Sequence, residues 1–389
     1  MDSLQLQVNR QELVQLLSDL VSINSVNPVF GGTSGGEERL SRYIEDFYRK
    51  QGIDCERQEV LPNRPNVIGK VPGRDPSRRL LFDAHLDTVS EEGMTIEAFH
   101  PRLAEGRLYG RGACDTKGGM AAMIYALALL RQSGVQPAGD VWVATTVDEE
   151  YGFHGIRKLA ASGVQALGAV VAEPTELKIT TCHKGILRWK VRTFGRAAHS
   201  SRPELGINAI SKMARLISRI ETRLQPRYAS RRDPLLGTPT FNIGVIEGGI
   251  QLNLVPSVCE AQIERRLLPG ETKDSVYEEF REVFEELAGE DTSFQAEMDE
   301  PFLEDPYLQT AAAAAIVRRT QQVCQQTLGQ SELAGVPYGT NASKLAGVGI
   351  PSLVFGPGSI DQAHTACEYV EIEQVVKAAQ VYLGLMIQS

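Results

Sequence analysis

From about residue 183 to 298 the chain reads strand, helix, strand, strand, helix, strand. The segments are 186–194, 205–224, 240–248, 258–268, 272–288 and 293–298. That order is the β-α-β-β-α-β motif of a ferredoxin-like α+β domain, complete in about 115 residues. On either side the pattern is different. Helical periodicity at 11–21, 37–50 and 118–131 alternates with short apolar runs at 66–71, 79–84, 141–147 and 169–172. Strands that are almost wholly apolar, alternating with helices, indicate an α/β layer fold with a largely buried sheet. The alternation resumes after the middle segment, with a helix expected at 306–328, a strand at 352–355 and a closing helix from Glu371. The chain is 389 residues long, more than one core usually holds. The expected architecture is a mixed-sheet α/β domain built from residues 1–182 and 299–389, interrupted by a ferredoxin-like domain at 183–298.

Composition narrows the partners. Hydrophobic residues make up 42% and charged residues 23%, as in ordinary globular proteins. The net charge is -9 and no basic cluster stands out, which argues against nucleic acid. The opening residues Met1-Asp-Ser-Leu-Gln-Leu-Gln7 have neither a cationic start nor an apolar core, so no signal peptide is expected. The longest mostly apolar run, 118–130, is short of the roughly 20 residues that span a bilayer. Six cysteines (Cys55, Cys114, Cys182, Cys259, Cys324, Cys367) lie without CxxC spacing and read as reduced thiols. The expectation is a cytoplasmic protein with no membrane partner.

The chemistry concentrates where the apolar runs end. Glu149 and Glu150 directly follow the run 141–147, and neighbouring side chains at a strand end point in different directions. One carboxylate can hold a metal while the other handles protons; the plain alternative is a solvated turn. Two of the six histidines fall where such a site needs them, His85 in Asp83-Ala-His85-Leu-Asp87 and His364 in Gln362-Ala-His364. His85 suits a terminal ligand, and Asp87, two residues on, suits an acceptor for the other imidazole N–H. Asp115 sits in the glycine-rich stretch Gly110-Arg-Gly-Ala-Cys-Asp115-Thr-Lys-Gly-Gly119, ahead of a helix. It fits either a carboxylate bridging two metals or a helix N-cap. His85, Asp87, Glu149, Glu150 and Glu173 all lie at or just past strand ends, where ligands of α/β sheets gather. His100, His154 and His183 have no such setting and read as surface or packing residues.

These motifs, with Asp148-Glu149-Glu150 and Ala172-Glu173-Pro174-Thr175, make nearly the whole chain resemble a known family. It is the dinuclear zinc deacylases and exopeptidases, which include acetylornithine deacetylase, succinyl-diaminopimelate desuccinylase, aminoacylase and carboxypeptidase G. The resemblance implies that His85 and Glu173 bind one Zn²⁺, that Glu150 and His364 bind the other, and that Asp115 bridges them. Cobalt could substitute, since the donor types suit both ions. Glu149 is then the general base. Two dications against three carboxylates and a hydroxide leave a near-neutral core that tolerates burial. The resemblance also makes His199, in Gly195-Arg-Ala-Ala-His199, an oxyanion donor that often reaches across a homodimer formed by the inserted domain. Arg266 would clamp the substrate carboxylate, with Arg265 beside it a structural candidate, and Asn253 would hydrogen-bond substrate.

Two stretches, 172–185 and 349–364, are most similar to the acetylornithine deacetylase branch, and Ser25-Val-Asn-Pro28 and Gly36-Glu37 fit it as well. The implied reaction is hydrolysis of N-acetyl-ornithine to ornithine and acetate, a step of arginine biosynthesis. Asn341, a further candidate substrate contact, stands where this branch is expected to carry Asp. Its amide lacks the charge a carboxylate offers a substrate ammonium. A desuccinylase, or a broader aminoacylase or dipeptidase, is the alternative within the class. A non-catalytic binding protein of the same fold is the alternative outside it, but every expected ligand and Glu149 are present.

Overall fold

The computed structural model describes residues 7–33 and 35–388. Residues 1–6, on which the signal-peptide expectation falls, lie outside them. The chain divides into two compact units. The first comprises Met1–Thr181, Thr310–Ala334 and Thr340–Ser389, and the second Cys182–Gln309 with Gly335–Gly339. The second unit therefore takes in residues 299–309, beyond the expected end at 298.

The first unit is built on a mixed sheet. Its strands run in the order Asp54–Leu61, Arg64–Val71, Gly139–Thr146, Asp75–His85, Gly168–Val171 and Ser352–Val354. The first two pairings are antiparallel and the remaining three are parallel. The central strands are buried on both faces, which is why they read as continuous apolar runs rather than alternating ones. Helix Gly118–Ser133 is apolar on nearly every side and packs along Ile372–Ile387. Helix Arg10–Ser22 buries Leu13, Leu16, Leu17, Leu20 and Val21 at helical spacing. The Asn9 side chain starts that helix by accepting the amides of Gln11 and Glu12. Among the described residues no helix is long and apolar enough to cross a membrane.

Parallel pairing matters most for the chemistry. His85 ends one strand opposite Thr146, the last residue of its neighbour, and Asp83 pairs with Val171 at the end of the third. Three adjacent strands therefore deliver His85, the Asp148–Glu150 turn and Glu173 to one edge of the sheet.

In the second unit Gly185–Phe194, Ala209–Ala229, Thr240–Gly248, Val258–Leu267, Lys273–Glu290 and Gln295–Met298 follow in the expected order. The strands are antiparallel, with Val258–Leu267 and Gly185–Phe194 in the middle. Leu187, Trp189 and Val191 alternate inward and, with Met213, Leu216, Phe280 and Val283, form the core of this unit. The first helix begins at Ala209 rather than 205, because Asn208 caps it through the amide of Ser211.

One expected element is corrected. The helix over 306–328 is helical only from Ala315 to Leu328. Leu308 and Gln309 instead pair with His183 and Cys182, and Leu303–Asp305 pairs with 186–188 of Gly185–Phe194. Tertiary pairing overrides the local preference here, and the four alanines 311–314 stay outside the helix despite their propensity.

Candidate metal centre

Two trios of side chains in the first unit have the geometry of metal sites, and they share one residue. His85, Asp115 and Glu173 each offer a donor atom within 4.8 Å of the others, and so do Asp115, Glu150 and His364. His85 Nε2 lies 2.9 Å from Asp115 Oδ1 and 4.0 Å from Glu173 Oε2. His364 Nε2 lies 3.4 Å from Asp115 Oδ2 and 3.2 Å from Glu150 Oε1. The two oxygens of Asp115 thus face different histidines, as a bridging carboxylate requires.

The framework holds Asp115 from behind. Gly112, at φ +82, takes a backbone that favours glycine, and a Cβ there would come within 2.8 Å of the Thr88 methyl group and 3.1 Å of the Lys117 side chain. The buried Glu368 carboxylate accepts the amides of Cys114 at 2.9 Å and Asp115 at 3.1 Å. Arg111 balances Glu368 at 2.7 Å. Asp115 caps no helix, which removes the N-cap alternative: the following helix has no side-chain cap. His364 adopts φ 60, a strained backbone of the kind that persists where surrounding contacts impose it. Gly356 admits Glu173, because a Cβ at 356 would come within 2.6 Å of the Glu173 carbonyl oxygen.

The electrostatics fit a cationic occupant. Burial is the main force raising Glu149 and Glu173 well above the usual carboxylate range, and their acidic neighbours add to it. Glu150 shifts up for the same reasons. Burial works against ionisation of Asp115 too, but His364 and His85 hold its carboxyl below its ordinary value. His364 is pushed up to about 10 by its hydrogen bonds to Asp115 and Glu150. Glu173 Oε1 is buried and has no hydrogen-bond partner among the described residues. A crowd of buried carboxylates with an orphaned oxygen is costly unless cations offset it. Imidazole and carboxylate donors suit zinc and neighbouring divalent ions.

Asp87 is buried with the cluster, but its carboxylate does different work from that expected. His85 Nδ1 pairs with the Asp87 main-chain carbonyl at 2.8 Å, while the carboxylate stands 3.7 Å away. The carboxylate oxygens accept the amides of Glu149 at 2.9 Å and Glu150 at 3.1 Å. Asn341, expected as a substrate contact, engages other side chains through its amide nitrogen. It is buried, with Nδ2 donating to Asp83 at 2.9 Å and Thr146 at 3.1 Å. Burial already raises Asp83 to about 6, so a carboxylate at 341 would set a second acid against it. Glu368 and Lys344 escaped sequence reasoning. The buried Lys344 ammonium acts electrostatically on Glu149 and stands 3.3 Å from the Phe153 ring centroid. Neither has a local pattern that sets it apart.

The remaining candidates belong to the second unit. His199 is exposed, and its Nδ1 accepts the Ser201 amide at 3.1 Å. In the neutral ring this places the proton on Nε2, ready to donate outward. Asn253 is close by, its carbonyl accepting the Ser200 amide at 3.0 Å. Arg266 Nε donates to Glu264 at 2.8 Å. Arg265 is fully buried, paired with Glu271 at 2.7 Å and stacked over Tyr228. Of the two arginines, Arg265 is the structural one.

Two candidate metal trios joined by one carboxylate on this fold are the arrangement of a metal-dependent amidohydrolase, and the comparisons with known proteins give the same class. Residues 81–388 match Peptidase family M20/M25/M40, and the chain belongs to that family. An acetylornithine deacetylase of Myxococcus xanthus is 31% identical over 350 residues, covering 88% of this chain and 90% of the relative. A probable succinyl-diaminopimelate desuccinylase of Staphylococcus aureus is 26% identical over 412 residues, with 98% of each covered. Among solved structures, aminopeptidase PepT of Bacillus cereus superposes with a TM-score of 0.80 at 23% identity, over 98% of this chain and 99% of that one. The YXEP protein of Bacillus subtilis, described as a dinuclear metal-binding peptidase of family M20, gives 0.71 at 18% identity, over 97% of each.

Proposed function

We propose that this chain hydrolyses the amide bond of N-acyl amino acids, with N-acetyl-ornithine the leading substrate and two zinc ions at the paired trios. The observation that carries the reading is Asp115, whose two oxygens face His85 and His364 separately while Glu149 stands outside both trios. When bound there, divalent ions acidify water and polarise the scissile carbonyl. His85 and Glu173 would hold one, Glu150 and His364 the other, and Asp115 both. Glu149 takes a proton from the attacking water and delivers it to the departing amine. Water thereby adds across the C–N bond, oxygen to the acyl carbon and hydrogen to the nitrogen. His199 would offer its Nε2 proton to the developing oxyanion. Arg266, with Nε committed to Glu264, would present its terminal nitrogens to the α-carboxylate, and Asn253 would add a hydrogen bond.

The choice of N-acetyl-ornithine rests on the 31% identical relative. It would place the protein in the cytoplasm, in arginine biosynthesis. Asn341 raises no objection, since its partners are Asp83 and Thr146. The test is a panel of N-acetyl-ornithine, N-succinyl-diaminopimelate, other N-acetyl amino acids and dipeptides, assayed with zinc or cobalt added. Turnover of N-acetyl-ornithine above the rest is expected; activity confined to dipeptides would move the chain to another branch.

A homodimer through the second unit is part of the same reading. Thr240–Gly248 is an edge strand, and Val245, Ile246, Ile250 and Leu252 expose apolar side chains on it and in the following turn. Edges of this kind call for a cover, and a second copy supplies one. Sedimentation should give a dimer for the parent and a monomer for Ile246→Lys.

A further inference from the structure

The motifs Ser25-Val26-Asn27-Pro28 and Gly36-Glu37 contribute nothing to the metal trios, and neither does Asp148. The first unit gathers them behind the Glu149–Glu150 pair. Asn27 is fully buried, and its Nδ2 donates to Asp87 Oδ2 at 2.7 Å and to Asp148 Oδ1 at 2.8 Å. A primary amide carries two N–H hydrogens, so one nitrogen serves both carboxylates. Arg64 donates to the same Asp148 oxygen at 2.8 Å and pairs with Glu37 through Nε. The other Glu37 oxygen accepts the Asp148 amide at 3.1 Å.

Together these contacts settle three consecutive backbone amides. Those of Asp148, Glu149 and Glu150 donate to the buried carboxylates of Glu37, Asp87 and Asp87 in turn. Asn27 completes the chain Asp87–Asn27–Asp148–Arg64–Glu37. Its own amide is fixed to the Thr88 carbonyl at 2.9 Å, just past the strand that bears His85. Three acids and one guanidinium meet here, with the His154 ring on the other Asp148 oxygen, so the link between Asp87 and Asp148 must donate twice without enlarging the space it fills. Asparagine meets both demands; aspartate would fill the same space but, when ionised, has no hydrogen to donate.

We propose that Asn27 is a positioning residue: acting through Asp87 and Asp148, it fixes the turn from which Glu149 and Glu150 project. The proposal rests on the reading of Glu149 as base and Glu150 as ligand. Displacing such groups by about an ångström costs on the order of 10²-fold in rate. A buried network that served stability alone would leave the chemical step untouched in the molecules that remain folded.

The test compares Asn27→Ala and Asn27→Ser with the parent, as full-length metal-loaded enzymes, on the panel substrate the parent turns over fastest. Amide hydrogen exchange is measured in parallel on the metal-free proteins. Asn27→Ala should lower kcat by about 10- to 100-fold while KM stays within about threefold. Exchange at the amides of Asp148, Glu149 and Glu150 should accelerate, with strand Gly139–Thr146 unchanged. Asn27→Ser keeps one donor and should fall between Ala and the parent; it is judged by the same criteria if the Ala variant does not fold. A kcat within about twofold of the parent, unchanged exchange at those three amides, or acceleration spread evenly through Gly139–Thr146 would each overturn the proposal. Should the parent hydrolyse nothing in the panel, the functional reading fails by itself, and the exchange result still decides whether Asn27 holds the turn.

Discussion

The two units treat their functional groups in opposite ways. In the first, His85, Asp115, Glu149 and Glu173 are buried and Glu150 partly so, with His364 the one exposed member of the trios. In the second, His199 and Asn253 stand exposed on loops, and Arg266 projects from a strand with its Nε paired to Glu264. Buried carboxylates stay ionised only with cations to offset them, so the cluster of the first unit is suited to metal before any substrate arrives. Exposed donors carry no such debt to burial. They can be altered with little loss of stability, and their value appears only when substrate charge develops. The difference predicts which changes strike metal content and which strike kinetics alone.

The harshest way to break the contrast is to remove the shared ligand. Asp115→Ala should abolish activity and metal binding together, because both trios include Asp115. His364→Ala should lose one ion and keep the other. Metal analysis of the purified proteins checks both, and an Asp115→Ala protein that still carries two ions would end the dinuclear reading. Next comes Glu149→Ala, expected to lose about 10²–10⁴ in rate while retaining both ions. Loss of metal in that variant would exchange the roles of Glu149 and Glu150.

In the second unit the effects should be smaller and confined to rate. His199→Ala should lower kcat by about 10²–10³ if it supplies an oxyanion donor, with melting temperature unchanged because the side chain is exposed. Arg266→Lys should mainly raise KM for substrates with a free α-carboxylate, since an ammonium does not reproduce the planar fork. An equal loss on substrates whose carboxylate is blocked would show that Arg266 does not bind it.

The same contrast explains what could be read before folding. The β-α-β-β-α-β order was legible because each element of the second unit carries its own period. The candidate metal ligands stood out because they sit in short motifs, three of them at or near strand ends, where register brings His85, the Asp148–Glu150 turn and Glu173 to one edge. Illegible were the long-range hydrogen bonds. That Asp87 would serve the amides of Glu149 and Glu150 depends on a contact 62 and 63 residues away in the chain. The hydrogen bond from Asn341 to Asp83 was illegible for the same reason, since the two are 258 residues apart. The helix expected from Pro306 failed where strand pairing claimed Leu308 and Gln309. Periodicity reports a segment's own preference and is silent about competition from remote strands.

The smallest predicted effect asks what the buried framework costs in stability. Lys117, two residues after Asp115, is fully buried, with Nζ donating to the Ile23 carbonyl at 2.8 Å. Burial brings its pKa down to about 7 from an ordinary 10.5. Between those values the unfolded chain holds a proton that the folded chain has released. Stability therefore rises with pH across that window, and below about 7 the folded state bears the full cost of a buried ammonium. Lys117→Met removes the titrating group while keeping similar length and apolar bulk. Urea unfolding of the metal-free proteins at pH 7 and pH 9 should show the parent gaining stability and the variant gaining less. The commitment of the first unit to buried charge would then extend beyond the metal ligands to the helix start behind them. Equal gains in the two proteins would mean that Lys117 keeps its proton when folded, and that the cost of burial falls on the carboxylates alone.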